Sequence, residues 1–480
     1  MKDKIIVHNF FWRFFERCGA QAVTFCVSII LARILKPEVY GVVAIVTVIT
    51  SILQVFLDGG FSTALIQKKN ADDLDFSSVF YFNVFTGLVL YFCLFLLAPK
   101  IASFYKMPEL IQIVRALGIN LIVFSLKSVQ QAYVARNLMF KKFFFSTLGG
   151  TIGAAFVGIY MALKGYGVWA LVVQNLFNMT VDTLILWIVV KWRPIRKFSL
   201  TRLKGLIQFG WKMLLSALLD VTYTNLRQLI IGKMYSSSDL AFYNKGNQFP
   251  EVIVVNINTS IDSVLLPTMS NQQDDILLLK SMTRRAIKTS SYLIMPMMMG
   301  MAVCANSFVS LILTEKWLPC VPYLRIFCFT YSFYTIHTAN LNAIKALGRS
   351  DIFLKLEIIK KIVGFTILAA TIWWGPLIMA YSLLLTSVLS QVINAWPNKK
   401  LLDYSYLEQL KDMLPTIGLT CLMGALVYCI SFLKLNSIIT LFIQIASGIL
   451  IYVVGSKVFH IESFEYIVSI VKSYKRNKND

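Results

Sequence analysis

The stretch GVVAIVTVITSILQVFLDGGFSTALI, residues 41–66, carries one charged side chain, Asp58, in an otherwise apolar or weakly polar run. At about 1.5 Å per residue, some 20 such residues cross the ~30 Å hydrocarbon core of a bilayer as a helix. Backbone in lipid must satisfy its own hydrogen bonds, and for blocks of this length only the helix does so. Outward from this block the pattern recurs. About fourteen spans are expected, at 11–34, 41–66, 76–98, 112–134, 143–163, 167–190, 207–231, 247–270, 286–313, 319–344, 352–374, 376–396, 412–433 and 437–457. The block at 247–270 is the weakest, because it holds Asn256, Asn258 and Asp262. The sequence therefore reads as an all-α integral membrane protein.

Composition agrees. Of the 480 residues 57% are hydrophobic and 15% charged, against about 25% charged in soluble domains. The net charge of +22 raises a nucleic-acid partner as a question. Its placement in short segments between apolar blocks, with no basic soluble domain, answers against one. Most of the eight cysteines lie inside apolar blocks and none forms a CxxC, which disfavours disulfide frameworks and zinc sites. His8, His337 and His460 are scattered, and His337 reads as a satisfied interhelical residue rather than a proton carrier. The first block carries Arg13, Glu16 and Arg17 and lacks a small-residue cleavage site, so it is expected to stay as a helix.

Orientation follows from the connecting segments. With the N-terminus inside, the cytoplasmic segments hold Lys68 and Lys69; Arg136, Lys141 and Lys142; Lys191, Arg193, Arg196, Lys197, Arg202 and Lys204; and further clusters at Lys280, Arg284 and Arg285, at Arg349, Lys355, Lys360 and Lys361, and at Lys399 and Lys400. The opposite segments hold mostly single charges, such as Lys36, Lys164, Lys316 and Lys434, with Lys100 and Lys106 the exception. This asymmetry predicts both termini in the cytoplasm and an even number of spans. The expected organisation is an N-terminal lobe at 1–190, a basic connector at 191–206, a C-terminal lobe at 207–397, two further spans within 398–458 and a basic tail at 459–480. In the tail, Phe464, Ile467, Val468 and Val471 share one helical face ahead of Lys472, Lys475, Arg476 and Lys478, the pattern of an interfacial helix.

The two lobes begin alike. Trp12-Arg13 opens span one and Trp211-Lys212 opens span seven. Each span ends near an acidic-aromatic turn, Glu38-Val39-Tyr40 and Asp239-Leu240-Ala241-Phe242-Tyr243. Repeated halves are a transporter signature, with the substrate site where the halves meet.

Charges inside spans are the candidate functional residues, since each costs about 2.5–3.5 kcal/mol mid-helix. Arg13, Arg17, Gln21, Thr24 and Ser28 recur at helical spacing on one face of span one, and Lys212, Ser216, Asp220, Tyr223 and Arg227 do so on span seven. From the helical rise, Arg17 and Lys212 lie roughly 9 Å and 8 Å inside their spans and Asp58 roughly 12 Å from the same surface. Lys127 and Asp262 fall at similar levels. The expected headgroup-binding cations are thus Arg13, Arg17, Lys127, Lys212, Arg227 and Arg325, with Glu16, Asp58, Asp220 and Asp262 compensating charge or coupling ions. Competing readings exist. Arg13 and Lys212 also suit snorkelling to headgroups. Asp58 suits a structural partner to Arg17, and Lys127 suits packing glue with Ser128, Gln130 and Gln131. Arg227 and Arg325 fit either an outer gate or interface anchors. Gly59-Gly60 favours close helix contact or a bend, and Pro250, Pro267 and Pro296 favour kinks.

No HExxH, GxSxG or P-loop pattern occurs, and the non-cytoplasmic segments are too short for a catalytic domain. The expectation is a non-enzyme without cofactor or metal.

Several stretches resemble the polysaccharide-transport branch of the multidrug/oligosaccharidyl-lipid/polysaccharide exporter superfamily, the Wzx-type flippases. The carriers are Ala32-Arg33-Ile34-Leu35-Lys36-Pro37-Glu38-Val39-Tyr40-Gly41, Asp58-Gly59-Gly60 with Leu65-Ile66-Gln67, Arg136-Asn137-Leu138-Met139-Phe140, Gly165-Tyr166-Gly167-Val168-Trp169-Ala170-Leu171, Tyr243-Asn244-Lys245 with Pro250, and Lys316-Trp317. One departure is Thr314-Glu315, where the resemblance calls for a glycine. The resemblance implies two six-helix lobes in an inverted V plus two helices, a bacterial inner-membrane location, and alternating access through a cationic central cavity. The implied substrate is an oligosaccharide on undecaprenyl diphosphate (an O-antigen, capsule or exopolysaccharide unit). Lipid, glycan polymerase and chain-length machinery would be the partners. The alternatives are an ion-coupled multidrug exporter of the same superfamily, a membrane glycan polymerase or ligase, and a scaffold within a glycan-assembly complex.

Overall fold

Every regular element among the described residues (19–68, 70–433 and 435–476) of the computed structural model is a helix. In chain order these are α1 (Gly19–Ile34), α2 (Pro37–Asp58), α3 (Phe61–Gln67), α4 (Asp73–Tyr105), α5 (Leu110–Arg136), α6 (Phe140–Leu163), α7 (Val168–Val189), α8 (Leu200–Met234), α9 (Ser237–Ser270), α10 (Ile276–Ile312), α11 (Val321–Ser332), α12 (Tyr334–Ala346), α13 (Ser350–Thr371), α14 (Pro376–Leu401), α15 (Tyr406–Ile430), α16 (Ser437–Val458) and α17 (Glu462–Arg476). Ten helices among the described residues are long and apolar enough to cross a membrane. The protein is a multi-pass membrane protein.

The differences from the expected spans have local causes. The block at 41–66 breaks into α2 and α3 at Gly59 and Gly60, whose φ angles are 50° and 71°. Gly60 also faces α8 at backbone distance: a Cβ there would sit 2.6 Å from the carbonyl oxygen of Gly210. The bend and the close approach both occur, and both require glycine. The block at 319–344 divides at Phe333 into α11 and α12. The weak block at 247–270 lies within the continuous α9, and its polar residues have partners. Asn258 accepts from Thr338 at 2.6 Å and Asp262 accepts from Asn342 at 2.7 Å, two rungs at the same four-residue spacing on α9 and α12. Each bond removes the cost of a polar group in an apolar setting.

By contact density the chain forms two compact units, Met1–Ala241 and Phe242–Asp480, dividing within α9. In unit 1, α5 packs on α2, α4 and α7, and α8 packs on α2, α3 and α4. One of its cores gathers Phe61, Phe76, Phe80, Phe143 and Trp192. Trp192 stacks on Tyr133 at 5.8 Å and donates its indole N–H to Asp73 at 3.0 Å. The basic segment after α7 is anchored by its backbone: the amides of Ile195 and Ser199 donate to Ser77 and Ser78 of α4 at 2.9 and 3.0 Å. At the start of α4, Asp72 forms a capping box with Asp75, which is fully buried against Lys68 at 2.6 Å. Arg136, at the end of α5, donates to the carbonyls of Leu65 and Lys68 at 2.5 and 2.6 Å. It thereby closes the C-terminus of α3, where cations are favoured.

In unit 2, α10 packs on α11, α12, α15 and α16, and α14 packs on α11, α12 and α13. α12 holds a buried amide cluster in which Asn340 exchanges hydrogen bonds with Gln409 of α15 and accepts from Asn398 of α14 at 2.6 Å. Two stretches of the resemblance meet here as well. The Lys245 ammonium lies 5.8 Å from the ring centre of Trp317 and donates to Gln248 at 2.8 Å. α17 lays Phe464 and Ile467 against the cluster that holds Tyr292 and Tyr452.

Candidate functional site

A membrane helix that keeps several amides on one face is spending hydrophobic stability, and α7 does so. Gln174, Asn178 and Asp182 recur every four residues, with Asn175 beside them. All four line a cavity of about 430 Å³ in unit 1. The opposite walls bring Thr24 and Ser28 from α1, Tyr40 and Val43 from α2, Lys127 from α5 and Thr151 from α6. Two members of the polar stripe of span one, Thr24 and Ser28, therefore face a cavity within unit 1. Lys127 and Asp182 form an ion pair at 2.5 Å, both side chains about nine-tenths buried. Asp182 uses Oδ2 for the pair, and its buried Oδ1 has no hydrogen-bond partner among the described residues. Asn120 donates to Asn175 Oδ1 at 2.9 Å.

The remaining sequence candidates distribute as follows. Arg13, Glu16 and Arg17 lie outside the described residues. Asp58 ends α2 and accepts from Ser62 at 2.5 Å. Lys212 and Asp220 are exposed on α8, with the Lys212 ammonium 6.0 Å from the Trp211 ring centre. Arg227, on the same helix, is only 3% exposed, and its Nε and Nη2 have no hydrogen-bond partner among the described residues. In unit 2, Arg325 is half-buried and donates through Nε to the carbonyl of Ala302 at 3.1 Å, while Asp262 is bound to Asn342. The structure thus brings Lys127 to a carboxylate that sequence reasoning passed over. Asp182 was legible as a charge in the middle of span six, and the 174/178/182 spacing matches the stripes that singled out spans one and seven.

Unit 2 carries a histidine–asparagine pair in a matching place. His337 stands as far before the end of α12 as Lys127 before the end of α5, and Asn394 as far before the end of α14 as Asp182 before the end of α7. The amide of Asn394 and Nδ1 of His337 are 3.0 Å apart. A second cavity, of about 380 Å³, lies in unit 2 among α9, α10, α15 and α16. It is lined by Met297, Met301, Phe308, Val427 and Ile449, with Gln444 and Tyr452 its polar members. That lining suits a hydrocarbon chain. Among the described residues no group of three or more metal-ligating side chains occurs.

Comparison with known proteins agrees with this architecture. The family described as "Polysaccharide biosynthesis protein" matches residues 30–322. The chain is similar to the teichuronic acid biosynthesis protein TuaB of Bacillus subtilis, with 24% identity over 416 residues covering 84% of this chain and 85% of that protein. It is also similar to the lipopolysaccharide biosynthesis protein WzxC of Escherichia coli, with 24% identity over 372 residues covering 76% and 74%. Among solved structures, the lipid II flippase MurJ in an inward closed conformation shares the fold, with a TM-score of 0.78 and 15% identity over 93% of this chain and 98% of that one.

Proposed function

Because the chain belongs to the family of polysaccharide biosynthesis proteins, within the multidrug/oligosaccharidyl-lipid/polysaccharide exporter superfamily, we propose that it is a flippase for oligosaccharide carried on undecaprenyl diphosphate. It works without chemistry on its substrate, in the bacterial inner membrane, with fourteen spans in two six-helix lobes plus two helices and both termini in the cytoplasm. Movement is by alternating access: the headgroup enters from the cytoplasmic side, intramembrane cations neutralise the diphosphate, and the polyprenyl tail stays in hydrocarbon. Arg13, Arg17, Lys212, Arg227 and Arg325 supply the cations. Glu16, Asp58, Asp220 and Asp262 compensate charge. Lys127 is already neutralised by Asp182, so it contributes position more than net charge.

The observation that carries the reading is Arg227. A guanidinium on α8, almost wholly buried and with two nitrogens that have no hydrogen-bond partner among the described residues, has a cost that folding alone does not explain. A diphosphate that accepts from the planar fork supplies the missing partners. The relatives named for teichuronic acid and lipopolysaccharide biosynthesis and the shared fold of a lipid flippase support the substrate class.

The test is reconstitution of the purified chain in liposomes loaded with undecaprenyl-diphosphate-linked oligosaccharide, scoring transbilayer movement with an impermeant glycosidase. Protein-dependent movement, reduced at least tenfold by Arg227→Ala, is expected. Transport of cationic drugs with no movement of the lipid-linked glycan would instead make the chain a drug exporter of the same superfamily.

A further inference from the structure

We infer that the unit 1 cavity is a subsite for an uncharged, polyhydroxylated group, a sugar residue of the lipid-linked glycan. The inference rests on the flippase reading above and assigns to one unit the recognition of the glycan rather than the diphosphate.

Charge comes first. Lys127 and Asp182, held 2.5 Å apart, cancel each other in the cavity wall. An anion selects for an uncommitted cation and a cation for an uncommitted carboxylate, and this pair offers neither. The hydrogen-bonding groups come next. Asn120 donates to Asn175 Oδ1, which leaves the two Nδ2 protons of Asn175, a residue of the cavity lining, to serve other acceptors. Asn178 and Gln174 add two more carboxamides from the same helix face. Asp182 Oδ1 is buried without a partner among the described residues, and an unmet acceptor beside a cavity is a standing cost that a ligand hydroxyl removes. Amide donors, amide acceptors and one carboxylate oxygen side by side match the neighbouring hydroxyls of a sugar ring. Val27 and Leu31 of α1 and Ala154 of α6, on the opposite walls, offer apolar surface to the ring's C–H face. The volume of about 430 Å³ lies inside the range of roughly 300–1,000 Å³ typical of small-ligand clefts.

The experiment compares two probes on the purified full chain in lipid nanodiscs. One is the lipid-linked oligosaccharide pool extracted from host cells disrupted in this gene; the other is bare undecaprenyl diphosphate. The wild-type chain is expected to bind the glycan-bearing lipid about tenfold more tightly, the worth of one or two net hydrogen bonds. The double variant Asn175→Leu with Asn178→Leu should lose that preference while keeping its affinity for the bare lipid, which also shows that it is folded. Gln174→Met is the milder variant, since it keeps the packing of this side chain against Gly158, and it should narrow the preference about threefold. A preference that survives both variants, or is absent from the wild type, overturns the subsite while leaving the flippase reading intact. Binding of neither lipid by the wild type removes the flippase reading and the subsite with it.

Discussion

Tyr452 of α16 donates its hydroxyl to the main-chain carbonyl of Tyr292 in α10 at 2.9 Å, and that carbonyl is free because the residue four positions on is Pro296. Proline has no N–H to give, so a helix that contains one leaves an acceptor stranded. Here a second helix meets it. The hydroxyl of Tyr292 in turn lies 2.8 Å from Ser456 Oγ, and the two rings sit 5.0 Å apart. The proline and the tyrosine pair form one device that ties α16 to the middle of the 37-residue α10.

Tyr452→Phe strands the Tyr292 carbonyl in a buried, apolar setting and should lower thermal stability by about 1–3 kcal/mol. Pro296→Ala supplies the missing N–H, so Tyr452→Phe should cost less in that background. The double-mutant cycle in detergent reports the difference as a coupling energy. Strictly additive effects would show that the two residues do not share the carbonyl.

Arg227→Met should separate stability from activity. Removing a buried guanidinium that has two nitrogens without a partner among the described residues relieves desolvation, so stability should hold or rise, by up to about 2 kcal/mol. Export should fall tenfold or more, because charge-assisted hydrogen bonds to the diphosphate are each worth about 1.5–3 kcal/mol. A variant that melts lower and exports normally would make Arg227 a structural anchor.

At Lys127 and Asp182 the single substitutions should be worse than the double. Asp182→Leu leaves a buried ammonium unpaired and should cost about 3–5 kcal/mol, and Lys127→Met leaves the carboxylate in the same position. The combined Lys127→Met/Asp182→Leu chain should recover most of that loss on a thermal melt. If the double variant is as unstable as the sum of the singles, the 2.5 Å contact is not the principal partner of either group.

How far the sequence discloses this molecule depends on which solvent acts on each residue. Lipid imposes length and apolarity over twenty residues at a time, so the class and most of the long helices are plain in blocks such as 41–66 and 437–457. Breaks inside a block are set by single residues and their neighbours. Gly59-Gly60 announces its break, whereas the division at Phe333 has no glycine or proline to mark it. Polar residues within spans are visible as types, but their partners are not. Asn258 and Asp262 weakened the reading of their span because Thr338 and Asn342 stand 80 residues away. Asp182 is visible as a mid-span charge, but nothing in the sequence pairs it with Lys127, 55 residues away, and helical spacing does not report the neighbours that bury Arg227. Lys212 and Asp220, from the same stripe as Arg227, are exposed, so one helical face carries residues in unlike settings.

Thr314 offers a test of backbone strain at a place the sequence had already marked. The resemblance calls for glycine near this turn, and the structure puts Thr314 at φ 94° and ψ 166°. That region is almost exclusive to glycine and costs other residues about 1–3 kcal/mol, most for a β-branched side chain. The turn nevertheless closes, with Trp317 N–H donating to the Thr314 carbonyl at 3.1 Å and the Trp317 side chain fully buried. The burial of Trp317 and its contact with Lys245 hold the backbone where threonine does not favour it. Thr314→Gly should therefore raise stability, by roughly 1 kcal/mol once the added freedom of the unfolded chain is set against the relieved strain. Thr314→Ala should gain less, because it removes the branch at Cβ and keeps the unfavourable φ. Equal melting temperatures for the three chains would mean that the turn carries no strain, and a lower one for Thr314→Gly would mean that the threonine side chain stabilises it.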